Sequence, residues 1–266
     1  MNIIVCVKEI PDPETPTSAF SIDPAAKRAV PAKDNPPVMS PFDENAVEAA
    51  LRVKDALGCT VQLLSMGAQS SEKVLKHGLA MGADEAFVLV DSAFDNSDSF
   101  STAYALAQAV KQIGEFDLIV CGRQAGDFDA GQVGAGLAEL LDLPSITPIQ
   151  KIEITDGKAK VERVIPDGYE VVETSLPALV TVSNELGEPR YATLKGIMAA
   201  GKKKVTVWGA QDIGADSSKI GAAGARTNML KLFIPVREAK CEIMEGENEE
   251  EVAINLALKL REAKLI

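Results

Sequence analysis

The stretch Phe116–Leu141, FDLIVCGRQAGDFDAGQVGAGLAELL, narrows the possible folds more than any other part of the chain. Phe116–Cys121 is a short apolar run of the kind that forms a buried strand. From Gln132 onward, Val133, Leu137, Leu140 and Leu141 fall on one side of a helix. Between them Gly122, Gly126 and Gly131 allow tight turning and close approach of a ligand. A strand leading through a glycine-bearing loop into a helix N-terminus makes an anion site, because free N–H groups and the positive end of the helix dipole face the same point. Arg123 adds a guanidinium, and the stretch reads as a nucleotide-phosphate cradle. Asp127 and Asp129 put negative charge in that loop. In one reading Asp129 caps the helix and Asp127 shapes the turn; in the other, a carboxylate binds a ribose hydroxyl or orders the loop. Neither GxxxxGK[ST] nor GxGxxG occurs here.

The same alternation runs through the first half of the chain. Asn2–Val7, Thr60–Ser65 and Ala86–Val90 read as strands buried on both faces. Helices are expected over Ser40–Leu57, Ser70–Met81 and Ser99–Ile113. In the first of these, Ser40 is placed as N-cap, Pro41 in the first turn and Gly58 as the stop. Lys8–Met39 carries half of the 14 prolines and reads as an irregular excursion with a small hairpin around Ile22–Val30. These units predict an α/β fold with a doubly wound, mostly parallel sheet. In such sheets ligands sit at the carboxyl ends of the strands. Cys6, the Ser40–Asp43 turn, Met66 and the Gly122 loop are therefore expected to converge.

After Pro144 the pattern changes. Ile149–Ile154, Ala159–Val164 and Tyr169–Ser175 predict a small antiparallel addition with turns at Asp156-Gly157 and Asp167-Gly168. Leu179–Val182 returns to the core sheet, and Val205–Trp208 is a further strand. Leu186–Lys204 mixes Leu194, Ile197 and Met198 with Arg190, Lys195 and Lys202–Lys204. It is either a surface helix turned onto its own core or a protruding docking segment. Residues 209–240 read as a meandering extension. A helix over Asn248–Ala263 follows, striped by Val252, Leu256, Ala257 and Leu260, which packs on a partner or on the core. Two regions are expected: 1–204, with a recognition loop at 184–204, and a C-terminal part at 205–266.

The net charge of −12 argues against nucleic-acid or anionic-membrane surfaces. No apolar run is long enough to insert directly into a bilayer, and no targeting signal is seen, so a cytoplasmic setting is expected. The four cysteines form no CxxC pair, and a single histidine, His77, rules out His-based triads and multi-His metal sites.

The motifs match a known family. Val5-Cys6-Val7-Lys8, Ser40-Pro41-Phe42, Ala80-Met81-Gly82-Ala83-Asp84, Gly122-Arg123-Gln124-Ala125-Gly126-Asp127-Phe128-Asp129 and Glu188-Pro189-Arg190-Tyr191-Ala192-Thr193-Leu194 stand in order. Through them the chain resembles, over essentially its whole length, the β subunit of electron transfer flavoprotein. The resemblance implies an α/β fold of adenine-nucleotide-binding type, a heterodimer with an α subunit that carries an electron-transferring FAD, and a β-subunit site holding AMP. In electron-bifurcating relatives that site holds a second FAD, which accepts hydride from NADH. Carried over by motif, nucleotide contacts come from Cys6, Ser40, Pro41, Phe42, Asp43, Met66, Leu118, Gly122, Arg123, Gln124, Ala125, Gly126, Asp127, Phe128, Asp129, Ala130, Gly131, Gln132 and Val133. Partner docking falls to Leu194 as anchor, with Arg190, Tyr191, Lys195, Ile197 and Met198, against acyl-CoA-type dehydrogenases or another redox partner. Residues 205–266 contact the α subunit. Arg123, Gln124 and Gln132-Val133-Gly134 fit the bifurcating form of the loop. Phe128 replaces its glycine, Ala130-Gly131 replace Thr-Ala, and Val164 stands where some members have a glutamate near the α-subunit flavin. The chain is expected to have no catalytic residue of its own unless it binds a bifurcating FAD, and a stand-alone adenine-nucleotide sensor of the same fold is the rival from another class.

Overall fold

Short runs of valine, isoleucine and leucine form the parallel centre of a nine-stranded sheet. The computed structural model describes residues 1–235 and 241–266. In chain order its elements are β1 (Asn2–Cys6), β2 (Glu9–Ile10), β3 (Ser21–Asp23), β4 (Arg28–Val30), β5 (Val38–Met39), α1 (Pro41–Leu57), β6 (Thr60–Met66), α2 (Glu72–Met81), β7 (Glu85–Leu89), α3 (Ser99–Ile113) and β8 (Leu118–Gly122). There follow α4 (Val133–Leu140), β9 (Ser145–Thr155), β10 (Lys158–Ile165), β11 (Gly168–Ser175), β12 (Ala178–Val182), α5 (Leu194–Lys202), β13 (Thr206–Trp208), α6 (Gly221–Gly224) and α7 (Glu249–Glu262). The main sheet has the order β11-β10-β9-β12-β8-β1-β6-β7-β13.

Successive residues of β1 face opposite sides. Ile3 and Val5 join a core with α1 and α2, whereas Ile4 and Cys6 join a second core with α3 and α4. Helices therefore cover both faces, as the continuous apolar strands require. The chain runs outward from β1 through β6 to β7, then returns to place β8 on the other side of β1. The strand order thus reverses between β1 and β8, and a crevice opens outside their carboxyl ends.

The antiparallel addition forms from β9, β10 and β11, with Asp156 and Gly157 both at positive φ in the first turn. The hairpin in the proline-rich excursion is β3 with β4. The first compact unit runs from Met1 to Leu232, past the boundary drawn at 204, because β13 pairs with β7 and Trp208 stacks on Phe87 at 4.8 Å.

The second unit, Phe233–Ile266, contains α7. Asn248 caps it by accepting the Glu251 N–H at 2.9 Å. No residue of α7 is buried. Residues 236–240 of the expected extension lie outside the described residues. Among the described residues no helix is long and apolar enough to cross a membrane.

Candidate functional site

The crevice between β1 and β8 is closed from behind by the start of α1. Asp43 is buried there, and its carboxylate accepts the Lys8 N–H at 2.8 Å and the Gly122 N–H at 3.2 Å. One side chain thus ties the ends of both strands to the helix. Burial pushes its pKa up to about 7, against the opposing pull of the two N–H donors and the Lys8 charge. Gly122 must be glycine: a Cβ there would lie 2.3 Å from Asp43 Oδ1 and 2.8 Å from the Phe42 carbonyl carbon.

Ser40 occupies the N-cap position of α1 as expected, but its hydroxyl makes no cap hydrogen bond. It accepts the Gly126 N–H at 3.3 Å instead and so holds the glycine loop. The expected cap role of Asp129 is also overturned. The N-cap of α4 is Gln132, and no side chain caps that helix. Asp129 lies at φ 51° and accepts from Gln124 Nε2 at 2.9 Å. Asp127 is paired with Lys8 Nζ at 2.8 Å. Both carboxylates therefore have partners within the loop or across it, and the first-turn N–H groups of α4 keep no side-chain acceptor.

Arg123 donates to Ser183 Oγ at 3.3 Å and lies 5.1 Å from the Phe42 ring centroid. Phe128 is 59% exposed, with Lys8 Nζ 5.0 Å from its ring, so it stands out from the loop and does not close it. Ala130 and Gly131 are exposed, and Gly131 holds φ at 62°. Cys6 and Cys121 are register partners on adjacent strands, both buried. A hydrogen bond donated to Cys6, together with burial, holds the Cys121 thiol well above its ordinary pKa, so it stays protonated. Ser65, one residue before Met66 at the carboxyl end of β6, is buried and its hydroxyl has no partner.

Leu118 lies apart from the other expected contacts. It starts β8 and is fully buried at the amino end of that strand, whereas Gly122 ends it. Four residues of strand, about 13 Å, separate it from the crevice edge. Cys6, Ser40–Asp43, Met66 and Gly122–Val133 all belong to that edge.

The predicted docking residues gather around α5. Leu194, Ile197 and Met198 are exposed, and Tyr191 is 93% exposed. Only Ala200 of the helix is buried, so its apolar side is not turned onto the protein's own core. Lys195 is exposed among them. Arg190 is not: its guanidinium is bound to Glu48 at 2.7 Å and Asp55 at 2.8 Å. A cavity of about 470 Å³ elsewhere is lined by Arg52, Lys151, Glu153 and Glu162; Lys151 pairs with both glutamates, and Arg52 pairs with Glu48.

A family model described as "Electron transfer flavoprotein domain" matches residues 30–213. The chain is 40% identical over 267 residues to the electron transfer flavoprotein subunit beta of Thermoanaerobacterium thermosaccharolyticum, covering 100% of both. It is 39% identical over 267 residues to the caffeyl-CoA reductase-Etf complex subunit CarD of Acetobacterium woodii, again covering 100% of both. It is 34% identical over 259 residues to the acryloyl-CoA reductase electron transfer subunit gamma of Anaerotignum propionicum, covering 95% of each.

Proposed function

This chain belongs to the electron transfer flavoprotein family, as a β subunit, and from that premise we propose that it binds an adenine nucleotide in the crevice between β1 and β8. The observation that carries the proposal is the uncapped N-terminus of α4 behind an exposed glycine loop, with Asp127 and Asp129 engaged by Lys8 and Gln124. Backbone N–H groups are left to receive phosphate oxygens. The residues present fit the group.

The same reading assigns the rest of the chain. α5 presents Leu194, Ile197 and Met198, ringed by lysines, to an acyl-CoA-type dehydrogenase or reductase. The unburied apolar side chains of α7 support contact with the FAD-bearing α subunit. The chain itself supplies position and electrostatics to flavin chemistry. AMP in the crevice would add no redox chemistry, whereas FAD would add a second two-electron centre able to accept hydride from NADH. The FAD reading is favoured by Arg123-Gln124 in the loop and by likeness to subunits named for caffeyl-CoA and acryloyl-CoA reductases.

The test is to denature the purified αβ heterodimer and identify the released nucleotides by chromatography. One adenine nucleotide beyond the α-subunit FAD is expected; AMP marks a structural site and a second FAD marks a redox site. Release of the α-subunit FAD alone would refute the proposal. For docking, Leu194→Ala is expected to raise KM for the partner enzyme while leaving nucleotide content intact.

A further inference from the structure

Helix α1 carries a polar stripe, Asn45, Glu48, Arg52 and Asp55, at spacings that put all four on one face. Every member bonds to the segment that leads into α5. Asn45 donates to the Gly187 carbonyl at 2.8 Å and Arg52 to the Leu186 carbonyl at 3.1 Å. Glu48 is 5% exposed, an unusual place for a carboxylate in a surface helix. Its Oε2 accepts both the backbone N–H of Arg190 at 3.2 Å and the Arg190 Nε at 2.7 Å. Its Oε1 accepts Arg52 Nε at 2.8 Å. Asp55 takes the outer end of the Arg190 guanidinium.

Downstream of this clamp the segment is fixed again. Gly196 lies against α2 so closely that a Cβ would sit 2.3 Å from the Ala80 carbonyl oxygen. Lys76 donates to the Ala200 carbonyl at 2.9 Å, and Lys203 Nζ to the Ala83 carbonyl at 2.6 Å. A helix that exposes Leu194, Ile197 and Met198 is thus held at its start by α1 and at its body and end by α2.

We infer that Glu48 is a positioning residue for partner docking, and that Arg190 acts through Glu48 and not as a surface charge met by the partner. This rests on the docking role proposed for α5. Glu48 desolvates its charge inside the fold and recovers that cost only with Arg190 and Arg52 in place. The planar guanidinium supplies donors in a fixed fork, which lysine cannot reproduce. An arginine serving as a surface charge would be replaceable by lysine; one serving as a clamp would not.

The experiment uses the assembled αβ heterodimer and a purified acyl-CoA dehydrogenase reduced by its acyl-CoA as electron donor. Glu48→Gln, Arg190→Lys and Arg190→Met are compared with Leu194→Ala and with the wild type. Each clamp variant is expected to raise KM for the dehydrogenase roughly tenfold, which corresponds to about 1.4 kcal/mol. Turnover at saturation, flavin content and nucleotide content stay at wild-type values. Backbone amides of 187–200 exchange faster in all three clamp variants, and the double variant Glu48→Gln with Arg190→Met is no worse than either alone. A wild-type KM in Arg190→Lys would overturn the inference, as would unchanged KM and exchange in Glu48→Gln. If Leu194→Ala also has a wild-type KM, the docking role itself fails. If only Leu194→Ala is impaired, docking stands and the clamp alone fails.

Discussion

Asp43 joins the ends of β1 and β8 to α1, and its replacement by asparagine tests whether a buried carboxylate works there as described. Burial raises its pKa from 3.8 to about 7. A folded-state pKa above the unfolded value means that the folded chain holds the proton more tightly. The stability this contributes is complete below about pH 3.8 and is lost as pH rises through about 7. At about 1.36 kcal/mol per pH unit, the interval from 3.8 to about 7 bounds the loss at about 4 kcal/mol, of which about 3 kcal/mol falls above pH 4.5. Asparagine does not titrate, but it leaves the Lys8 or Gly122 N–H facing an amide NH2, at a cost of about 1–3 kcal/mol. Urea unfolding of wild-type and Asp43→Asn heterodimers between pH 4.5 and 8 reads the difference directly. The advantage of the wild type is expected to shrink steadily with pH, so that the variant matches or overtakes it at pH 8. Parallel stability curves would show that Asp43 does not titrate in this window and would refute the reasoning.

Two further perturbations address the crevice. Gly122→Ala forces a Cβ against Asp43 and the Phe42 backbone; overpacking of about 1–3 kcal/mol predicts a Tm lower by roughly 3–10 °C, with reduced nucleotide retention, in a thermal melt. Lys8→Met releases the Asp127 carboxylate beside the loop. Nucleotide affinity measured by titration is expected to fall roughly two- to fivefold, since pairs at exposed sites contribute on the order of 1 kcal/mol or less. Adding Asp127→Asn to Lys8→Met is expected to restore it.

Where neighbours in sequence decide the structure, the sequence was readable. Ser99–Ile113 forms as expected because Asp98 and Ser101 build a reciprocal cap immediately before a regular apolar face. The antiparallel addition was legible from Asp156-Gly157, whose residues both take the left-handed region that such a turn needs. Side chains whose partners lie far along the chain were misread or not seen. Ser40 looks like a helix cap locally, but it is claimed by Gly126, 86 residues away. Asp127 finds Lys8 at a separation of 119 residues. Glu48 reads as an ordinary acid in an amphipathic helix, because Arg190, the residue that gives it a role, lies 142 residues downstream. The crevice was legible in outline, since strand ends gather wherever a parallel sheet reverses its order, but its charge balance was not.

In the proposed function the Gly122–Val133 loop holds the nucleotide through its backbone. Gly131 is the position to test, because its φ of 62° disfavours a β-branched residue while a Cβ there meets only the Arg123 carbonyl oxygen at 3.5 Å. AMP is titrated calorimetrically into heterodimer stripped of the β-site nucleotide, for wild type and Gly131→Val. Strain of about 1–3 kcal/mol in the bound loop predicts an affinity loss of roughly tenfold or more. Equal affinity in the two proteins would put the nucleotide elsewhere and contradict the claim.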